Sequence, residues 1–259
     1  MGLFLILAFL FSVGALAGWC IEVIFRRFFS DANPERKWLN PGFCSGPWLP
    51  LYGFGLMALY LMAAMLEDSI PIASLAWRRT VLFTMMALTM TVIEYIAGIF
   101  LLKVYNVRLW DYRQNRFNVQ GLICPLYSFF WAVLSALFYF LIYPRVTNML
   151  IWLSRNLAFS FFIGLFYGIF LIDVANSSAI IVKLRKMAKE AGIVIHFERL
   201  KTDARDDEET ERKKTAFFFP FLVNKKSLGT QVRNSVERRR HELQQLREKH
   251  KDKKSGANA

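Results

Sequence analysis

The chain alternates long apolar stretches with short basic loops, and only its last third abandons that rhythm. A hydrocarbon core about 30 Å thick takes roughly 20 mostly apolar helical residues to cross, because every backbone amide in lipid must be bonded within its own segment. Five stretches meet that demand, at about 3–25, 47–66, 80–102, 121–143 and 157–182. They predict an all-α, polytopic helical membrane protein with about five transmembrane helices in residues 1–182, followed by a basic tail over 183–259. The first stretch is read as a retained span. It has no positive n-region, and its apolar run continues to Phe25 before Arg26 and Arg27 end it. Trp19 ahead of Cys20 argues against lipoprotein processing, and Ile6 stands where a myristoylation signal needs Ser or Thr.

Charge orients these spans. Residues 1–182 hold 12 Lys or Arg against 8 Asp or Glu, whereas 183–259 hold 21 against 12, so most of the net +13 lies in the tail. The first loop carries Arg26, Arg27, Arg36 and Lys37, and the third carries Lys103, Arg108, Arg113 and Arg116. The second has only Arg78 and Arg79, the fourth Arg145 and Arg155. The richer loops and the tail are therefore expected in the cytoplasm, with the N-terminus outside, as in a multi-pass protein of a bacterial plasma membrane. Composition agrees: the chain is 55% hydrophobic and 20% charged, more apolar and less charged than an average soluble chain.

The tail has three parts. A basic, semi-apolar run over 183–201 leads to the acidic block 203–211; the aromatic cluster Phe217-Phe218-Phe219-Pro220-Phe221 follows; a charged helical stretch over 228–250 is the third part. The lysines at 249–254 suit anionic lipid. Nucleic acid is disfavoured, because no platform of aromatic residues is interleaved with the basic ones.

Two hairpins in the membrane part read as copies. Glu22 and then Asn40, Gly42 and Pro50-Leu51-Tyr52 in the first correspond to Glu94 and then Asn118, Gly121 and Pro125-Leu126-Tyr127 in the second. A parallel repeat about an axis along the membrane normal is the implied arrangement. It would set Glu22 and Glu94 facing one another.

A charged side chain inside a span is costly, so an acid there is a site candidate by default. Glu22 has Arg26 four residues on, a favourable helical pair that would explain it structurally. Glu94 has Met90, Thr91, Ala97 and Gly98 on its face, so its partner must come from elsewhere. Converging, the two carboxylates could share a proton or receive a cationic substrate; alternatively Arg108, Arg116 or Asn118 neutralises them. Asn40, Asn118, Trp110, Asp111, Tyr112, Tyr52 and Tyr127 gather on the same side. Each also has an architectural reading: helix caps for the asparagines, an interfacial belt for Trp110 and Tyr112, and a pair with Arg108 for Asp111. Pro47, Pro50 and Pro125 suit helix starts, while Gly42, Gly53 and Gly121 complete the structural motif. Gly14 with Gly18, and Gly164 with Gly168, have the spacing that lets helices approach closely. Asp173, with Asn176, Ser177 and Ser178, gives the fifth stretch a polar face that could line the same cavity or be buried against the bundle.

Some chemistry is disfavoured. Cys20, Cys44 and Cys124 have no paired metal-type spacing and read as packing residues. His196, His241 and His250 all lie in the tail, which argues against a haem, a His-rich zinc site or a Ser-His-Asp hydrolase in the membrane. There is no phosphate-binding loop ending in Gly-Lys-Ser/Thr, so ATP chemistry would come from another chain, and no cofactor is implied.

Over about 18–140, Gly18-Trp19 with Glu22, Asn40 with Gly42-Phe43, Gly46-Pro47, Pro50-Leu51-Tyr52-Gly53-Phe54-Gly55, Glu94-Tyr95, Leu109-Trp110-Asp111-Tyr112 and Asn118 with Gly121 form one ordered series. This series resembles the ABC transporter type IV permease family, the CmpB-like integral membrane proteins. The chain departs from that pattern at Pro41, Leu49 and Arg113, where relatives carry Arg, Cys and Ser. The resemblance implies a permease-like membrane subunit beside a separate ABC-type ATPase. Two other readings stay open: a non-transporting scaffold that recruits partners through the tail, and a lipid-processing enzyme using Glu22, Glu94 or Asp111 as acid-base groups.

Overall fold

A computed structural model describes residues 2–196 except 31–32, 34–35, 37, 68, 157 and 192–193, together with Glu237. Most of the tail, including the acidic block, the aromatic cluster, His241, His250 and the terminal lysines, lies outside the described residues. In chain order the elements are α1 (Leu3–Phe28), α2 (Pro50–Leu66), α3 (Leu75–Tyr105), β1 (Val107–Arg108), α4 (Pro125–Ala136), a π-helical segment (Leu137–Ile142), α5 (Tyr143–Arg155), α6 (Phe159–Ala191) and β2 (Ile195–His196).

Four helical segments are long and apolar enough to cross a membrane: Leu3–Phe28, Leu75–Tyr105, Pro125–Val146 and Phe159–Ala179. The second of the five expected stretches is shorter, with 17 helical residues in Pro50–Leu66. Its late start has a local cause. The ring of Pro50 crowds the preceding residue out of the helical region, and Leu49 is extended at φ −119° and ψ 102°. Pro50 itself opens α2, where its missing N–H would have had no helical partner.

The second loop is also shorter than its sequence suggests. Arg78 and Arg79 belong to the start of α3, where Arg79 Nε lies 3.7 Å from Glu67 Oε1 at the end of α2. Tyr139 donates to the same Glu67 oxygen at 3.0 Å. Arg145 and Arg155, expected in the fourth loop, lie in α5, which continues α4 without a break. The π-helical turn between them is explained by Pro144, which cannot donate to Phe140 and whose ring displaces that carbonyl. Tyr143 N–H accordingly reaches back five residues to Phe138.

Helix α1 packs along α2, and α3 along α4. Between these hairpins Leu59, Ala63, Leu82, Met86, Trp131 and Phe138 form one apolar core. A second core joins Phe11 and Ala15 of α1 to Cys44 and Trp48 of the first loop and Phe170 of α6. Glycine sets the closest approach: a Cβ on Gly14 would lie 2.9 Å from the Tyr52 carbonyl, and one on Gly53 2.9 Å from that of Phe11. The other small-residue pair behaves differently. A Cβ on Gly164 or Gly168 would meet nothing within 4 Å, so that pair mediates no helix contact among the described residues. After α6, β2 runs parallel to β1, with Val107 paired to Ile195 and Arg108 to His196. The root of the tail is thereby held on the third loop.

Candidate functional site

Between the two hairpins lies a cavity of about 820 Å³. Its wall is mostly apolar and aromatic, and its charged lining residues are Glu22, Arg26 and Glu94. The two glutamates thus face one cavity.

Glu22 is fully engaged. Arg26 Nε donates to its Oε1 at 2.9 Å, one helical turn away, and the Tyr52 hydroxyl donates to its Oε2 at 2.9 Å. Gly18 makes the second bond sterically feasible. A Cβ there would stand 2.2 Å from the Tyr52 ring, so only glycine lets that ring lie across α1 to reach the acid.

Glu94 is held differently. Its residue is 3% exposed, and its Oε1 accepts from the Tyr112 hydroxyl at 3.0 Å. The Trp131 indole stands beside the same carboxylate, yet no hydrogen bond reaches Oε2 among the described residues. Tyr112 comes from the third loop and stacks on Tyr127 of α4, ring centroids 4.1 Å apart and nearly parallel at 9°. Burial, and then the neighbouring Glu94 carboxylate, push the Tyr112 phenol well above its ordinary range, so it remains a proton donor. On the other wall Tyr52 packs against Trp131 at 4.9 Å. The two acids are therefore satisfied unequally: Tyr52 bonds Glu22 directly, whereas Tyr127 supports Glu94 through Tyr112.

The third loop is a compact scaffold for Tyr112. Trp110 Nε1 donates to the Leu122 carbonyl at 2.9 Å, and Tyr112 N–H to that of Gly121 at 2.9 Å. Asn118 Oδ1 accepts from Gly121 N–H at 3.0 Å, so it caps the loop and not the start of α4, where Cys124 is the N-cap residue but makes no side-chain capping bond. Gly121 is left-handed at φ +70°, as is Gly42 of the first loop at φ +73°. Asp111 forms a two-oxygen pair with Arg113, where the sequence suggested Arg108; Arg108 Nη1 instead donates to the Gln120 carbonyl. The Arg113 side chain is 56% exposed. Exposed pairs contribute at most about 1 kcal/mol, so Arg113→Ser is expected to leave the melting temperature of the purified protein nearly unchanged.

The first loop descends beside α1. Leu49 N–H donates to the carbonyl of Ala15, at the midpoint of that helix, at 3.0 Å. Irregular backbone at such depth persists only where protein groups satisfy its amides. Asp173 of α6 does this: its carboxylate accepts from Ser45 N–H at 3.1 Å, Gly46 N–H at 3.0 Å and the Trp48 indole at 2.7 Å. Ser177 donates to it from one turn on, at 3.2 Å. Asn40 is a strut within the loop, accepting from Trp19 Nε1 at 2.7 Å and donating to the Ser45 carbonyl at 2.7 Å. The capping residue of α2 is Leu49, without a side-chain bond. Pro47 lies in this clamped turn between Gly46 and Trp48. Asp173 is thus a positioning residue that sequence reasoning left between two roles; the signal was an acid in an apolar stretch four residues from Ser177.

Among the described residues no three His, Cys, Asp or Glu side chains converge as a metal site requires. A family model described as "Putative ABC-transporter type IV" matches residues 9–178. The match runs past the 18–140 series of motifs and takes in most of α6, Asp173 included. No curated protein and no solved structure matches the chain.

Proposed function

We propose, since this chain belongs to the ABC-transporter type IV family, that it is the membrane subunit of a transport system whose ATP hydrolysis is performed by a separate chain. The observation that carries this reading is the cavity between the hairpins, with Glu94 buried in its wall and one of its carboxylate oxygens without a hydrogen bond among the described residues. A buried acid with an unfilled bond is costly in a purely structural protein, whereas a transporter needs a polar anchor inside an otherwise apolar path. In this reading the chain crosses five times, with the first and third loops and the basic tail in the cytoplasm of a bacterial cell and the N-terminus outside. The short α2 completes its crossing with the clamped loop before it. Paired left-handed glycines, Gly42 and Gly121, support the two-hairpin repeat. Glu22, Glu94, Tyr52, Tyr112 and Tyr127 face the substrate, while Asn40, Asn118, Trp110 and Asp111 hold the loops that present them. The ATPase docks on the basic loops, and the terminal lysines rest on anionic lipid.

The pairing of β2 with β1 favours a second reading, in which the membrane domain anchors a regulatory tail whose root touches the loop bearing Tyr112. Affinity purification from native membranes in mild detergent, with quantitative mass spectrometry, separates the two. The transport reading expects a near-stoichiometric ABC-type ATPase that stays bound when residues 197–259 are deleted. Recovery of soluble partners alone, lost with that deletion, would overturn it in favour of the scaffold.

A further inference from the structure

The cavity holds two carboxylates in chemically different states. Glu22 is balanced by the Arg26 guanidinium at 2.9 Å and bonded by Tyr52. Glu94 meets only neutral donors, the Tyr112 hydroxyl and the adjacent Trp131 indole, and its Oε2 accepts no hydrogen bond among the described residues. With all three groups ionised, the lining carries one uncompensated negative charge, and Glu94 bears it. Two kinds of ligand fit poorly. An anion would face that charge directly, and a divalent ion needs several oxygen ligands where a single carboxylate oxygen is open among the described residues.

Around Glu94 the walls are electron-rich. Tyr112 stacks on Tyr127 at 4.1 Å, and Trp131 packs on Tyr52 at 4.9 Å, so aromatic surfaces flank the acid on two sides. Such rings attract a weakly hydrated onium ion through their quadrupoles, most strongly where water is excluded. Beyond them the cavity is lined by Phe25, Phe54, Phe100 and Phe130, and its volume of about 820 Å³ accepts a hydrocarbon body.

We infer that the cavity binds a monovalent lipophilic onium cation, an organic ammonium or its phosphonium analogue, with its charge on Glu94 and its hydrocarbon against the aromatic wall. This names the substrate class of the site proposed above and rests on that reading for its purpose; the binding step itself requires no ATPase.

The test is scintillation proximity binding of tritiated tetraphenylphosphonium to the full chain in phosphatidylcholine nanodiscs, with empty discs as background. Saturable binding is expected, displaced by dodecyltrimethylammonium and not by tetraphenylborate, which has the same shape and the opposite charge. Tetramethylammonium as competitor distinguishes recognition of the charged head alone from recognition of the whole amphiphile. Glu94→Gln is expected to weaken binding by roughly tenfold or more, the scale of a lost charge-assisted contact, while Glu94→Asp, which keeps the charge, retains most of it. Should Glu94→Gln fail to fold, the wild-type comparison of phosphonium with borate and the Glu94→Asp variant still decide. Equal binding of the two ions, no saturable binding, or unchanged affinity in a folded Glu94→Gln protein overturns the inference and leaves the ATPase partnership standing. Loss of the ATPase with onium binding intact does the reverse.

Discussion

Asp173→Asn is expected to loosen the first loop and to lower stability by about 2 kcal/mol. Every group bonded to this carboxylate is a donor: two backbone amides of Ser45 and Gly46, the Trp48 indole and the Ser177 hydroxyl. An asparagine keeps the shape but loses the charge: with its oxygen at the Oδ2 position the amides of Ser45 and Gly46 and the Trp48 indole keep an acceptor, now a neutral one, while the bonds to Oδ1 from Ser45 and Ser177 meet an NH₂. A bond to a charged acceptor contributes about 1.5–3 kcal/mol against about 1 for a neutral one, so three weakened bonds add up to a measurable loss. Thermal unfolding in nanodiscs reads the loss of stability. Maleimide labelling reads its location. Cys44 sits in the clamped loop and is fully buried, whereas Cys124, also buried, lies in the other hairpin. In a Cys20→Ser background, which removes the exposed thiol, Asp173→Asn should accelerate labelling of Cys44 and leave Cys124 protected. Equal protection of both thiols, with an unshifted melt, would sink the clamp.

Gly18→Ala is expected to cost about 2–3 kcal/mol, unusual for so small an addition. The new methyl would overlap the Tyr52 ring at 2.2–2.6 Å, far inside van der Waals contact, and the ring carries the hydroxyl that bonds Glu22. Overpacking of a close interface typically costs about 1–3 kcal/mol, and the displaced tyrosine forfeits its bond to the acid as well. The same methyl on Gly164 meets open space, so Gly164→Ala should be close to neutral. A double-mutant cycle isolates the cause. With Tyr52→Ala the obstruction is gone, and Gly18→Ala added to that variant should cost well under 1 kcal/mol; simple additivity of the two changes would contradict the steric account.

The asymmetry between the two acids shows where sequence reasoning reaches its end. The bond from Arg26 to Glu22 spans one helical turn, so spacing alone exposes it once a helix is assumed. Glu94 has no such neighbour, and its need for a partner from another element was legible; the identity of Tyr112, 18 residues on and across a turn, was not. Asn40 and Asn118 were legible as loop polar groups, but their partners follow from the path of each loop and not from their distance to the next helix. Asp111 chose Arg113 over Arg108 for the same reason, because the backbone there is turned and not helical, which voids the three-residue spacing that argues for Arg108.

By itself the sequence determined what depends on runs of neighbouring residues. Apolar length sets which segments can lie in hydrocarbon, proline sets where α2 and α4 begin, and the motif series sets the family. Tertiary structure decided the rest: the shortened second helix with its buried loop, the joining of Glu22 and Glu94 in one cavity, and the use of Asp173 to hold amides 128 residues earlier in the chain. Local pattern encodes hydrogen bonds closed within a turn and the burial of one face. A polar group on a distant helix is matched to a loop only when packing brings both to the same depth, and no periodicity in either segment records that meeting.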